Sequence, residues 1–336
     1  MEEILTSSTK TCFLTEMNWS GKVANDHTNM RVEFSWMNLL DAIHYNIYSF
    51  NNVKEYDHVF IIFPKGNTNL SLDASKILDT ENRYSSIFSS NIVNILKNNN
   101  KKIYFIQEGP HWFFNDYSII DQFNYYNQLQ NCDILFVHNE SDISFYRGIF
   151  PSKQIEVLPT VLIQSLIKDI KHTYENKVMI GGNFSRWYGG FQSYIISDIF
   201  NSKKYIQTSH SSRENENQIP DLHVLPRMFW LDWMKTLSTF KYAVHMMPTV
   251  AAGTFSLNCA YFGIPCIGNE KVDTQFKCFP ELSVYSENIE EAKKIAEKLY
   301  TDKNFYNECS NYSMRKCKEC FSEEKWKEKI FNLLKI

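Results

Sequence analysis

Two short segments in the second half of the chain have the residue types and spacing to hold a diphosphate. The first, Gly181-Gly182-Asn183-Phe184-Ser185-Arg186-Trp187-Tyr188-Gly189-Gly190, directly follows an apolar run. Gly181 and Gly182 admit a close approach of backbone to ligand, and Gly189 and Gly190 let the chain turn back tightly. Asn183 and Ser185 offer hydrogen bonds, and Arg186 carries the planar fork that meets a phosphate at two oxygens. The second segment is Ala251-Ala252-Gly253-Thr254-Phe255. A helix entered through such small residues leaves its first backbone N–H groups unpaired and uncovered, so an anion can approach them. Lys271, shortly after Gly268, stands at another strand end, either within reach of a phosphate or simply as a surface lysine. No Gly-Lys-Ser/Thr follows the glycines, so the first segment is not a Walker A loop.

Candidate proton acceptors sit in the first half. Residues 107–117, QEGPHWFFNDY, place Glu108, His111 and Asp116 in one loop after an apolar strand. Any of them can take a proton from an attacking hydroxyl if its surroundings tune its pKa; a rigid Gly-Pro turn with an aromatic plug is the alternative. Asn25-Asp26-His27 forms a second polar loop, with His27 as its titratable group. His138, Asn139, Glu140 and Asp142 form a third set, with Arg147 further along. Glu140 and Asp142 there read as acids favouring the start of a helix. His245, one position inside a strand end, reads as a core histidine. Cys317-x-x-Cys320, with Cys309 upstream, lacks the second pair or nearby histidine of a zinc site; residues three apart on a helix share a face.

The elements that must position these residues follow from the apolar pattern. The chain has 336 residues, 43% hydrophobic and 22% charged, with a formal net charge of −3. That length predicts two domains, and that balance a globular protein without a basic tail for nucleic acid. The start, MEEILTSSTK, lacks the apolar core of a signal peptide. No apolar run approaches the roughly 20 residues of a membrane span, so the expected location is cytoplasmic. Eight cysteines in that setting are expected as reduced thiols.

Strands are expected at 12–14, 59–63, 102–106 and 134–137, alternating with helices near 87–95 and 119–129. Trp36, Leu40, Ile43, Ile47 and Phe50 recur at helical spacing. After a passage at 151–176, strands follow at 177–180, 203–207, 242–246 and 264–267. Helices are expected at 189–200, 230–237, from 253 to a stop at Gly263, and from about 288 onward. Gly263 fits the residue just past a helix end, and Pro265 prevents continuation. Such alternation predicts an α/β protein of two Rossmann-like, doubly wound parallel-sheet domains, 1–165 and 166–336, facing each other across a cleft, the terminal helices packing back on the first.

The arrangement resembles the C-terminal domain of GT-B glycosyltransferases, particularly the large family similar to glycogen synthase and sucrose synthase. Arg186 matches the basic residue of that family's glycine-rich loop. Gly253-Thr254-Phe255 match its loop at the diphosphate, and Ala260-Tyr261-Phe262-Gly263-Ile264-Pro265 its small-x-Gly-x-Pro ending. These motifs cover residues 181–190 and 245–269, whereas the likeness of organisation spans the chain. Asn258 stands where the family carries a glutamate on the ribose hydroxyls, and an amide makes that contact without charge assistance. The family's acidic residue near the sugar has no match in Thr249–Ala252.

The resemblance implies transfer of a hexosyl or pentosyl group from a nucleotide-diphosphate sugar, a UDP-sugar foremost, to a hydroxyl acceptor. The donor is a substrate, and no tightly bound cofactor is implied. Gly182, Asn183, Arg186, Gly253, Thr254, Phe255, Asn258 and Lys271 would bind it; Glu108, His111, Asp116 and His27 are the acceptor-side candidates. A glycan is the first acceptor class, and a hydroxylated DNA base the second. The sequence contains no Asp-x-Asp metal motif, so metal independence is expected, and a retaining outcome is what the likeness suggests. A nucleotide-sugar epimerase and a non-catalytic nucleotide-sugar-binding protein are the alternative readings.

Overall fold

The computed structural model describes residues 10–25, 32–63, 92–107, 109–116, 119–184, 187–207 and 216–335. Contacts divide the chain into two units. One gathers the residues up to Ala24, Trp36–Leu158 and those from Ile330 onward; the other gathers Asn25–Ser35 and Pro159–Lys329. The boundary therefore falls between Leu158 and Pro159 rather than at 165, and the buried run Val161–Ile163 counts with the second unit.

The first unit holds strands β1 (Thr11–Thr15), β2 (Ile43–Asn46), β3 (His58–Ile61), β4 (Lys102–Ile106), β5 (Ile134–Val137) and β6 (Gln154–Val157). They form one sheet in the order β2-β1-β3-β4-β5-β6, with every ladder parallel. Strands β3, β4 and β5 read HVFI, KIYFI and ILFV, the continuous apolar runs of strands buried on both faces. Helices α1 (Val32–Leu39), α2 (Ile92–Asn98), α3 (Ile119–Asn131) and α4 (Glu140–Ile149) connect them. Aromatic rings fill much of the interior: Phe13 stacks on Phe60 at 4.7 Å, and Trp36 meets Phe136 edge-on at 5.7 Å.

Two expectations fail here for one reason. The helical spacing from Trp36 to Phe50 runs through three elements, not one: α1, strand β2 and a 3-10 helix at Ile47–Val53. Asp41, at φ 48°, ends α1, after which Ile43–Asn46 pair with Cys12–Thr15 as β2. Strand β6 likewise lies in the stretch read as a passage. Both are four-residue edge strands with mixed polarity, so periodicity alone gives them no signal.

The second unit holds β7 (Glu175–Ile180), β8 (Lys203–Gln207), β9 (Leu222–Leu225), β10 (Phe240–His245), β11 (Cys266–Asn269) and β12 (Ser283–Val284). Their order is β12-β11-β10-β7-β8-β9, again all parallel. This is the dinucleotide-fold order, in which β7 and β10 are neighbours although the chain leaves them in opposite directions across the sheet. Helices α5 (Gly190–Ser197), α6 (Trp230–Leu237), α7 (Thr254–Phe262) and α8 (Asp273–Cys278) connect the strands. Helices α9 (Ile289–Thr301), α10 (Lys303–Phe321) and α11 (Glu323–Leu334) end the chain. Strand β9, another edge strand, is absent from the sequence reading for the same reason as β2 and β6.

All eight cysteines are free thiols, seven buried and Cys320 exposed. Cys317 is buried and Cys320 is not, so the two face different surroundings on α10. Among the described residues no three His, Cys, Asp or Glu side chains group as a metal site. No helix among them is long and apolar enough to cross a membrane.

Candidate functional site

Ligands of doubly wound sheets bind beyond the carboxyl ends of the strands where their order reverses. In the second unit that point lies between β7 and β10, and both candidate segments meet there. Gly181 continues β7, donating its N–H to the Val244 carbonyl of β10 at 2.8 Å. Gly182, at φ +79°, then turns the chain. The loop closes where the Gly190 N–H donates to the Asn183 carbonyl at 3.0 Å. Gly189 adopts φ +64° with its backbone so near Met246 that a Cβ would fall 2.0 Å from the Met246 carbonyl oxygen. Buried Ser193 fastens this contact: its Oγ donates to the Gly189 carbonyl at 2.8 Å and accepts from the Met246 N–H at 2.9 Å. The glycine loop is thereby tied to the residues leaving β10.

The second segment has the geometry its sequence predicts. Gly253 is the N-cap of α7, at φ +71°, and no side chain caps the helix. The first helical bond runs from the Leu257 N–H to the Gly253 carbonyl, so the N–H groups of Thr254, Phe255 and Ser256 have no intrahelical acceptor. Residues 251–255 all keep partial exposure. The start of α8 fixes the turn, with Thr274 Oγ1 donating to the Gly253 carbonyl at 2.8 Å. Ser256 Oγ donates to Gln275 Oε1, and Gln275 Nε2 to the Cys266 carbonyl, each at 2.8 Å. Gln275 is thus an internal brace joining α7, α8 and β11. At the far end Gly263, at φ +67°, closes the helix as expected.

One residue discounted in the sequence reading joins the two segments. The His245 ring lies against the Gly181–Gly182 turn, where a Cβ on Gly181 would come within 2.6 Å of its Cγ. On its other side it meets the Phe255 ring edge-on at 5.0 Å. Its Nε2 is sealed from solvent without a hydrogen-bond partner, and burial holds the imidazole down to about 4. An apolar strand end carrying a lone histidine is the sequence signal, but it does not reveal the missing partner.

The remaining donor-side candidates divide. Asn258 is buried one turn into α7, and its Oδ1 is sealed and unpartnered. Asn183 is buried within the loop, its carbonyl engaged by Gly190. Lys271 is exposed, with its ammonium 5.5 Å above the Tyr285 ring, although the next residue, Val272, packs on Gly253. Arg186 lies outside the described residues.

Glu108 and His27 also lie outside the described residues. Asp116 closes a 3-10 turn spanning His111–Asp116. His111 stacks on Phe145 at 3.9 Å, with its Nδ1 3.8 Å from Asp142 Oδ1. The Asp142 side chain is only 4% exposed and accepts from Asn139 Nδ2 at 3.3 Å. Asp142 therefore faces a ring from the 3-10 turn after β4 as well as its own helix start. His138 belongs to the core, beside Trp36 at 6.3 Å and 3.4 Å from the Leu158 carbonyl.

No protein-family model matches the sequence, and no curated protein matches it. Solved structures do. A sucrose-phosphate synthase from Thermosynechococcus elongatus superposes over 97% of this chain and 98% of its own, at TM-score 0.64 and 10% identity. Anabaena HepE, solved with UDP and glucose, covers 97% of this chain and 99% of its own, at TM-score 0.62 and 11% identity. An α-glucosyltransferase solved with UDP and a 13-mer DNA containing an HMU base covers 97% and 99%, at TM-score 0.61 and 8% identity. With two parallel six-stranded sheets of these strand orders, the chain has the fold of the GT-B glycosyltransferases.

Proposed function

We propose that this protein transfers a sugar from a nucleotide-diphosphate donor, a UDP-sugar foremost, to a hydroxyl acceptor. The observation that carries the reading is the uncapped start of α7, held beside a glycine turn at the point where the strand order reverses. Two groups of backbone donors side by side suit two phosphates rather than one. Solved neighbours of the same fold holding UDP support the nucleotide.

In the reaction the bond between the anomeric carbon and the β-phosphate oxygen breaks, and a bond to the acceptor oxygen forms. The negative charge that collects on the departing diphosphate is met by the N–H groups at Gly253–Phe255 and by Arg186. Each such preorganised donor contributes about 3 kcal/mol when judged by its removal. These donors would do the work of a divalent ion, which makes the reaction metal-independent. Gly182 and Asn183 shape the loop above the phosphates, Asn258 orients the ribose, and Lys271 swings from Tyr285 to the diphosphate. The acceptor proton passes to one of Glu108, His111, Asp116 or His27. His111 has the best credentials, because Phe145 and Asp142 fix its ring.

A glycan is the acceptor this reading favours, since the net charge of −3 offers little attraction to a polyanion. A hydroxylated DNA base is the second reading, motivated by the neighbour solved on DNA. A thermal-shift screen against UDP-, GDP-, ADP- and TDP-sugars tests the donor site, because a ligand bound by the folded chain raises its apparent stability. Selective stabilisation by one nucleotide sugar is expected; indifference to all four refutes the reading. Retention on a heparin or DNA column, and its salt dependence, then separates the acceptor classes.

A further inference from the structure

His245 ends β10 at the floor of the reversal point, where it touches both segments assigned to the diphosphate. We infer that His245 contacts the donor itself, its Nδ1–H donating a hydrogen bond to a phosphoryl oxygen held between Gly182 and Gly253–Phe255. The inference rests on the donor-site reading above and adds a residue that the sequence comparison with the family does not supply.

The ring is fixed on two sides. A Cβ on Gly181 would lie 2.8 Å from His245 Cδ2, and one on Gly182 would lie 3.4 Å from Nε2. The Cδ2–Nε2 edge therefore rests on the glycine turn, in space that only glycine leaves free. Phe255, in the first turn of α7, closes the second side at 5.0 Å. Nε2 is sealed there without a partner. Among the described residues Nδ1 has no hydrogen bond either, yet it is not among the sealed atoms. The unoccupied polar edge of the ring is thus the one away from the glycine turn.

A purely structural role explains this poorly. Leaving a buried polar atom unpaired is costly, and the rest of β10 shows that apolar side chains fill this strand well. Enclosure keeps the imidazole neutral at physiological pH, with one N–H and one lone pair. Placing the proton on Nδ1 leaves only the lone pair of Nε2 in the sealed position and turns an N–H toward an arriving anion. A neutral donor adds this contact without a titration near neutral pH, so its contribution stays constant where a charged histidine's would not.

The test measures binding of UDP and of uridine to wild type and to the His245→Phe and His245→Asn variants, between pH 5.5 and 8.5. His245→Phe keeps the planar ring and removes the donor. It is expected to weaken UDP about tenfold or more while uridine, which has no phosphate, is unaffected. His245→Asn keeps an N–H near the Nδ1 position and is expected to restore most of the UDP affinity. The ratio of UDP affinities between wild type and His245→Phe, in which the ligand's own titration cancels, is expected to stay flat across the pH range. Equal UDP affinity in wild type and His245→Phe overturns the inference, as does a parallel loss of UDP and uridine, which marks a packing role. Should the Phe variant fail to fold, His245→Leu carries the same expectation. Absence of UDP binding by the wild type would sink the donor-site reading itself, whereas wild-type binding with indifferent variants sinks only the histidine's part.

Discussion

A methyl group added to Gly253 would lie 1.9 Å from Thr274 Oγ1, on a backbone at φ +71°. Gly253→Ala should therefore cost on the order of 1–2 kcal/mol in backbone strain alone and displace the start of α7. A lowered urea midpoint and loss of the UDP-induced thermal shift would check this. Gly148 is the matched control: it lies inside α4 with open space around it, so Gly148→Ala should be neutral or gain about 0.5–1 kcal/mol. Arg186→Ala should leave the fold intact and reduce kcat strongly, and unchanged kinetics in that variant would count heavily against the assigned phosphate contact. His44 sets a pH dependence of its own. It is fully buried, and enclosure lowers it to about 4, partly offset by the Trp19 backbone, whereas an unfolded histidine titrates near 6.5. Between those values the unfolded chain binds a proton that the folded chain refuses, so stability falls as pH drops from 6.5 to 4. The full loss from this residue is on the order of 3 kcal/mol. Unfolding midpoints at pH 7, 5.5 and 4.5 would show it, and His44→Gln should flatten the slope.

At the scale of elements, the glycine loop and α7 are held in register by few atoms. Ser193 Oγ both donates to Gly189 and accepts from Met246, so Ser193→Ala removes two hydrogen bonds inside the core. A loss of about 1–3 kcal/mol is expected, with a larger proportional fall in UDP affinity than Ser197→Ala causes on the same helix. The β10–α7–β11 unit was legible in the sequence because its punctuation is chemical: Gly253 opens the helix, Gly263 closes it and Pro265 forbids more. Central strands such as Lys102–Ile106 and Ile134–Val137 were legible from their unbroken apolar runs. Strands β2, β6 and β9 were not, since a short edge strand exposes one side and borrows its stability from a neighbour. The site was legible only in part. Backbone donors can be inferred from glycines, but the packing of His245 on Gly181, or of His111 near Asp142, joins residues 64 and 31 positions apart, and no local pattern encodes such pairs.

On the scale of the whole molecule, two sheets with separate cores imply two unfolding events that need not coincide. Calorimetry with and without UDP should raise the transition belonging to the second unit, whose residues carry the proposed donor site, and leave any separate first-unit transition in place. Helix α11 contributes residues to both units, with Ile330 fully buried, so truncation before Ile330 should weaken the first unit although its sheet lies far earlier in the chain. The distribution of sulfur has a practical outcome. Seven thiols are enclosed and Cys320 alone meets solvent, so a maleimide dye should mark one position on native protein and eight after denaturation. The unaltered chain thereby offers a ready-made attachment point on α10, from which fluorescence can follow substrate encounter in real time.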